Sequence, residues 1–161
     1  LYPALVQGEG AVSSIVNGIR ALDALGVSTS YKLGDTVITG ITPGTGASSV
    51  LANISAGSGT VKVLKADGTE NTGAVGTGNK IAVYANGTLV KQYDVVIYGD
   101  INGDGKISVV DLVMMQKQIL GTSQLSGAYA AAADISRDGK VSVKDLVLLQ
   151  KHIINAAQIE Q

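Results

Sequence analysis

The feature that most constrains this chain is a twelve-residue acidic segment that occurs twice. DINGDGKISVVD occupies residues 100–111, and DISRDGKVSVKD occupies residues 134–145. Both copies hold three aspartates, an Asp-Gly pair and a serine at the same offsets. Crowded carboxylates repel one another unless a cation neutralises them, so the spacing indicates a cation-binding loop. Because the spacing recurs, we reject two metal-free polar turns as its explanation.

Calcium fits this pattern because Ca²⁺ takes six to eight oxygen ligands, which a loop of about twelve residues supplies from positions 1, 3, 5, 7, 9 and 12. In the first loop these positions are Asp100, Asn102, Asp104, the carbonyl of Lys106, Ser108 and Asp111. In the second loop they are Asp134, Ser136, Asp138, the carbonyl of Lys140, Ser142 and Asp145. We therefore predict two calcium ions. The second site should be the weaker one, because Ser136 at position 3 is a weaker, neutral ligand.

A helix is predicted after each loop, and each helix carries two apolar stripes. Leu112, Met115 and Ile119 form one stripe, which can pack against its twin in the second repeat: Leu146, Leu149 and Ile153. A surface helix normally shows one apolar stripe, and about sixty residues cannot bury both. The second stripe therefore favours a partner surface, with coverage by the N-terminal part of the chain as the alternative. A strand-like stretch, VVIYG, precedes the first loop, whereas an EF-hand has an entering helix there.

The remainder of the chain is predicted to be mostly β. Apolar spacing in residues 12–22 predicts a helix in the N-terminal segment, residues 1–30. Asn86-Gly87 predicts a tight hairpin turn, because both residues accept positive φ angles. The other elements expected are a short helix at Ser48–Ile54 and strands at Asp35–Ile41, Thr60–Lys65, Lys80–Ala85 and Thr88–Tyr98.

Composition excludes several classes of function. The formal net charge is −1, which gives no electrostatic reason to bind nucleic acid or an anionic membrane, and no apolar run is long enough to span a bilayer. Without cysteine, disulfides and thiolate sites are excluded. No constellation of side chains indicates catalysis, so we expect a protein that is not an enzyme. The start at Leu1 suggests a piece of a longer chain.

Residues 99–155 resemble a dockerin, the calcium-dependent module that binds cohesins. The resemblance rests on GDINGDGKISVVDLVMMQKQILG and ADISRDGKVSVKDLVLLQKHII. Residues 31–98, with TVITGITPGT and YDVVIYGDINGDGK, look like the small X module that often precedes dockerins. The expected fold class is α+β. Residues 1–30 are a helical segment or the tail of an upstream module, residues 31–98 a β-rich domain of X-module or immunoglobulin-like type, and residues 99–161 an all-α dockerin with two calcium-loop–helix repeats.

The resemblance implies which side chains meet the partner, a cohesin module of a scaffoldin. They are loop positions 10 and 11 and later helix positions: Val109, Val110, Val113, Met114, Gln116 and Lys117, or Val143, Lys144, Val147, Leu148, Gln150 and Lys151. Many enzyme-borne dockerins carry serine or threonine at positions 10 and 11, so valine suggests a more apolar interface. The similar halves also imply docking in either of two orientations, although Val110 against Lys144 breaks the symmetry.

The function implied is a non-catalytic adaptor that assembles a cellulosome-like extracellular complex for polysaccharide degradation. Such a protein would be secreted, at the cell surface or within a cellulosome. Two alternatives stay open. The β-rich region could be a carbohydrate-binding module, or the repeats could form a purely structural calcium module that binds no cohesin.

Overall fold

The computed structural model describes residues 27–161. The helix expected in residues 1–30 lies outside the described residues. The bounds, in chain order, are β1 Ser28–Thr29, β2 Lys32–Leu33, β3 Val37–Thr39, α1 Ala47–Asn53, β4 Ile54–Ser55, β5 Thr60–Leu64, β6 Lys80–Ala85, β7 Thr88–Val95, α2 Val109–Leu120, α3 Gly127–Ala133 and α4 Val143–Ile153.

A five-stranded mixed sheet organises residues 32–95, in the order β2-β3-β7-β6-β5. Strands β3 and β7 pair in parallel, and the other neighbours are antiparallel. The predicted hairpin joins β6 to β7, where Asn86 and Gly87 have φ angles of 52° and 79°. Strand β7 ends at Val95, before the predicted end at Tyr98. The backbone of Ile97 instead bonds the Thr77 hydroxyl, which accepts from its amide at 3.0 Å and donates to its carbonyl at 3.2 Å.

The sheet and α1 enclose one apolar core, which with its strands we call the β-module. Residues that alternate along the strands point into it, as half-buried strands require. Fully buried members are Ile38, Ile41, Val50, Val63, Val75, Ile81, Val83, Val95 and Ile97. Residues 28–30, placed by the sequence in the N-terminal segment, join this module: β1 pairs with β4, and Ser30 and Thr29 donate to the Asn53 side chain.

Helices α2 and α4 pack against each other as the apolar stripes predicted. Met115 and Leu149 are fully buried at the centre of this helical core, and the rest of the predicted stripe packs around them. Burying such a side chain contributes about 1.5–3 kcal/mol. Between the two repeats lies α3, which was not predicted from the sequence and which begins after Ser126 in an alanine-rich run that favours helix. None of the helices in residues 27–161 combines the length and apolar character needed to cross a membrane.

Candidate calcium loops and docking face

The first loop gathers the three predicted carboxylates around one point. Asp100, Asp104 and Asp111 each offer an oxygen, and these oxygens lie within 4.8 Å of one another. Asp100 and Asp111 are buried, whereas Asp104 is exposed. Gly105 has a φ angle of 81°, the left-handed conformation that the sharp turn at position 6 needs.

Backbone amides fix the two buried carboxylates of the first loop. The Asp100 carboxylate accepts hydrogen bonds from the amides of Gly103 at 3.1 Å and Gly105 at 2.9 Å, both in its own loop. It also accepts one from the amide of Thr77, a residue of the β-module, at 2.9 Å. Asp111 accepts from the amides at both ends of the loop, Ile101 and Asn102 at its start and Ser108 at its end. The loop is therefore closed by its own side chains.

Aspartate at position 12 has a second structural role, at the start of the following helix. Asp111 is the third residue of α2 and accepts the amide of Ser108, the helix N-cap, at 2.8 Å. Asp145 makes the same contact with the Ser142 amide at 2.8 Å before α4. A carboxylate at this place also stabilises the positive end of the helix dipole. The aspartate at position 12 thus accepts hydrogen bonds from loop amides and also caps the start of the following helix.

Smaller contacts order the remaining first-loop ligand candidates. The Asn102 side chain accepts the Asp104 amide at 3.1 Å and donates to the Asp104 carboxylate at 3.3 Å. The Lys106 amide donates to the Asp104 carboxylate at 2.9 Å. Every donor atom the sequence assigns here is an oxygen, which is the ligand set of a hard cation such as Ca²⁺.

The second loop repeats this arrangement in a more open setting. Asp134, Asp138 and Asp145 also bring oxygens within 4.8 Å of one another. Asp134 accepts the amides of Asp138 at 3.2 Å and Gly139 at 2.9 Å, while Asp145 accepts the amide of Ser136 at 2.8 Å. Asp145 is buried, but Asp134 is partly exposed, whereas its counterpart Asp100 is fully buried. The two loops therefore share their geometry and differ in solvent access.

Burial makes the first loop electrostatically strained without a cation. The pKa of Asp100 is raised to about 6 by burial, which outweighs the lowering by the Thr77 and Gly105 amides; the charges of Asp111 and Asp104 raise it further. Burial also raises the pKa of Asp111. In the second loop the Lys140 amide lowers the pKa of the exposed Asp138. A divalent cation among these oxygens would supply the missing positive charge, so the residues fit calcium.

Exposed valines lie on α2 and α4 at predicted partner-binding positions. We use the name docking face for the predicted partner-binding residues together with Leu120 and Ile154. Val109, Val110 and Val113 are exposed on α2, and Val143 and Val147 on α4. Gln116, Lys117, Lys144, Gln150 and Lys151 are exposed beside them. Met114 and Leu148 differ: both are half-buried against the helical core. The β-module residues described here do not cover these valines, contrary to the alternative reading of the second stripe.

Sequence reasoning missed two apolar side chains of this face and one contact of the loop. Leu120 and Ile154 are 76% and 72% exposed, and helical spacing from Val113 and Val147 could have found them. The bond from Thr77 to Asp100 joins residues far apart in sequence, so no local pattern indicates it.

Comparison with known proteins identifies the helical part. Residues 98–154 match the family model described as dockerin type I domain. The exodeoxyribonuclease 7 large subunit of Lachnoclostridium phytofermentans is 69% identical over 29 residues, and the match spans 18% of this chain and only 7% of that protein.

Two similar solved structures contain a ScaB dockerin of Acetivibrio cellulolyticus with the third cohesin of ScaC, and in each a dockerin helix is mutated. Identities are 25% and 26%, with 40% of this chain and 92% and 96% of the matched chains covered, at TM-scores of 0.38 and 0.37. Dockerins in general bind calcium and are non-catalytic binding modules. The duplicated acidic loops, the paired helices and the family match lead to one conclusion: residues 98–154 are a dockerin type I domain.

Proposed function

We propose that this chain is a calcium-dependent adaptor whose dockerin binds a cohesin and so anchors the protein in a cellulosome-like extracellular complex. The observation that carries the proposal is the dockerin type I match over residues 98–154. The exposed valines of α2 and α4 support it, because several apolar side chains exposed on the same helices are typical of a protein–protein interface. The chain itself contributes binding and not catalysis.

Two calcium ions hold the dockerin in its binding form. The ligands proposed for the first are Asp100, Asn102, Asp104, Lys106 through its carbonyl, Ser108 and Asp111, and for the second Asp134, Ser136, Asp138, Lys140 through its carbonyl, Ser142 and Asp145. Support comes from the two oxygen clusters and from the buried carboxylates of Asp100 and Asp111, which have no ion-pair partner among residues 27–161. When bound, calcium would neutralise each cluster, so that α2 and α4 start from rigid loops.

The docking face offers two related surfaces to a cohesin. On α2 the surface consists mainly of Val109, Val110 and Val113. On α4, Val143 and Val147 occupy the positions that match Val109 and Val113. This repetition supports docking in either of two orientations. Lys144, where α2 has Val110, distinguishes them: a cohesin surface with an acidic patch would favour α4, and an apolar one would favour α2.

The β-module is proposed to be an X-module-like domain that orients the dockerin. Its support is the contact between the two parts, in which the Thr77 amide donates to Asp100. An extracellular location follows from the proposed function, since cohesin-bearing complexes assemble outside the cell.

Binding to a panel of cohesins, with calcium and with excess chelator, tests the proposal. We expect at least one cohesin to bind in calcium and none in chelator, and Asp104→Asn combined with Asp138→Asn should abolish binding. Asp67→Asn is the matched control, because Asp67 is an exposed aspartate in a β-module turn. Cohesin binding that persists in chelator would contradict the proposal.

A further inference from the structure

A glycine-rich segment of the β-module, Val75–Asn79, lies directly against the first calcium loop. The Thr77 amide donates to the Asp100 carboxylate at 2.9 Å, and the nearby Gly44 amide donates to the Gly105 carbonyl at 2.7 Å. Thr77 is 1% exposed and Asp100 is fully buried. The wall of this loop is thus built partly from another module.

The contact is so close that only glycine fits on either side. A Cβ atom at Gly76 would lie 2.1 Å from the Gly103 carbonyl oxygen and 2.8 Å from the Gly105 nitrogen. A Cβ at Gly103 would lie 2.5 Å from the Thr77 carbonyl oxygen, and one at Gly105 would lie 2.7 Å from that of Val75. Gly76 lacks a positive φ angle, so the approach of the loop, and not the backbone conformation, requires this glycine.

Thr77 is also tied to the chain that enters the loop. Its hydroxyl bonds both backbone groups of Ile97, and the Asp100 amide donates to the Ile97 carbonyl at 2.9 Å. The amide of Thr77 is therefore held at a fixed distance from the carboxylate it binds. Such a closed ring of hydrogen bonds reduces the freedom of Asp100 before any ion arrives.

The second loop has no such wall among the described residues. Within residues 27–161, the Asp134 carboxylate accepts hydrogen bonds only from groups of its own loop, and a Cβ at Gly139 would meet nothing within 4 Å, unlike one at the matching Gly105. Where the first loop has Gly103, the second has Arg137. The bulk of Arg137 would prevent an equally close approach of another segment, so the sequences of the two loops account for the difference in their surroundings.

We infer that the segment Val75–Asn79 is a positioning part of the first calcium site, so that this site binds calcium more tightly and releases it more slowly than the second. This rests on the proposed calcium sites. Because the β-module holds Asp100 in place, less order must be gained on binding, and the buried ion has fewer routes to solvent. Loosening the contact should weaken the first site alone.

The test is calcium release from the full chain, followed by stopped-flow mixing with a fluorescent chelator. Wild type should show a slow and a fast phase, and Asp138→Asn should remove the fast one, which assigns it to the second loop. Gly76→Ala should speed the slow phase by about tenfold or more, the effect of losing one hydrogen bond to a charged group, and leave the fast phase unchanged. The control is Gly73→Ala, whose Cβ would meet only Asn71 Oδ1 at an ordinary 3.6 Å.

Thr77→Val provides a second variant in case Gly76→Ala does not fold. It removes the hydroxyl that fixes Ile97 while it keeps the side-chain volume, and it should act in the same direction. Unchanged release from the folded variants, or equal acceleration of both phases, overturns the inference while calcium binding stands. A wild-type chain that binds no calcium would instead refute the proposed function.

Discussion

The burial of Asp100 predicts an unusual dependence of stability on pH in the calcium-free protein. Its pKa is raised from 3.8 to about 6 in the folded state. Between these values the folded protein keeps a proton that the unfolded chain releases, so the free energy of unfolding falls as pH rises. At about 1.4 kcal/mol per pKa unit, Asp100 contributes about 3 kcal/mol that is fully present below pH 3.8 and lost above pH 6.

Urea unfolding in calcium-free buffer at pH 4.5, 6 and 7.5 measures this loss, with Asp100→Asn compared with wild type. Asp100→Asn removes this titration, so its decline in the free energy of unfolding between pH 4.5 and 7.5 should be smaller than that of wild type by about 2 kcal/mol, the part of the roughly 3 kcal/mol that is still present at pH 4.5. The exposed Asp35→Asn serves as the control and should decline like wild type. Calcium should reverse the trend, because protons compete with the ion for Asp100, and affinity should drop below pH 6. Equal declines in Asp100→Asn and wild type would refute the reasoning.

Two further predictions concern the helices. If the dockerin docks in two orientations, the single variants Val113→Asp and Val147→Asp should each retain cohesin binding, measured by calorimetry. The variant that carries both substitutions should lose it. Loss of binding with either single variant would rule out dual docking. Met115→Ala leaves a cavity at a fully buried position, so it should lower the free energy of unfolding of the calcium-loaded protein by about 2–5 kcal/mol, measured in urea. The control Val113→Ala, at an exposed position, should change it by less than about 1 kcal/mol. Similar losses in both variants would contradict the packing of the helical core.

Local patterns in the sequence predicted most of what is local in the structure. The hairpin at Asn86-Gly87 and the helices after each loop follow from turn chemistry and apolar spacing, and the structure confirms them. The stripe that includes Met115 and Leu149 is also confirmed, because the period of a helix fixes which side chains share a face. The oxygen clusters lie where the loop spacing predicted them.

Features that depend on distant parts of the chain were not predictable in this way. The parallel pairing of β3 with β7 joins segments separated by most of the β-module, and a sequence pattern carries no register across such a gap. The contact of Gly76 with Gly103 is of the same kind, since each glycine alone resembles an ordinary turn residue. Helix α3 was missed for a different reason: its alanines lack the apolar period that marks an amphipathic helix.

The close approach of Gly76 to Gly103 and Gly105 has a consequence for how such proteins can be recombined. Transplanting this dockerin behind an unrelated module would leave Gly103 and Gly105 facing water, and exchanging the order of its two repeats would bring Arg137 against Gly76. The repeats are therefore duplicates in composition without being interchangeable in place. A functional chimera would have to contain residues 75–79 and the first repeat together, from the same protein.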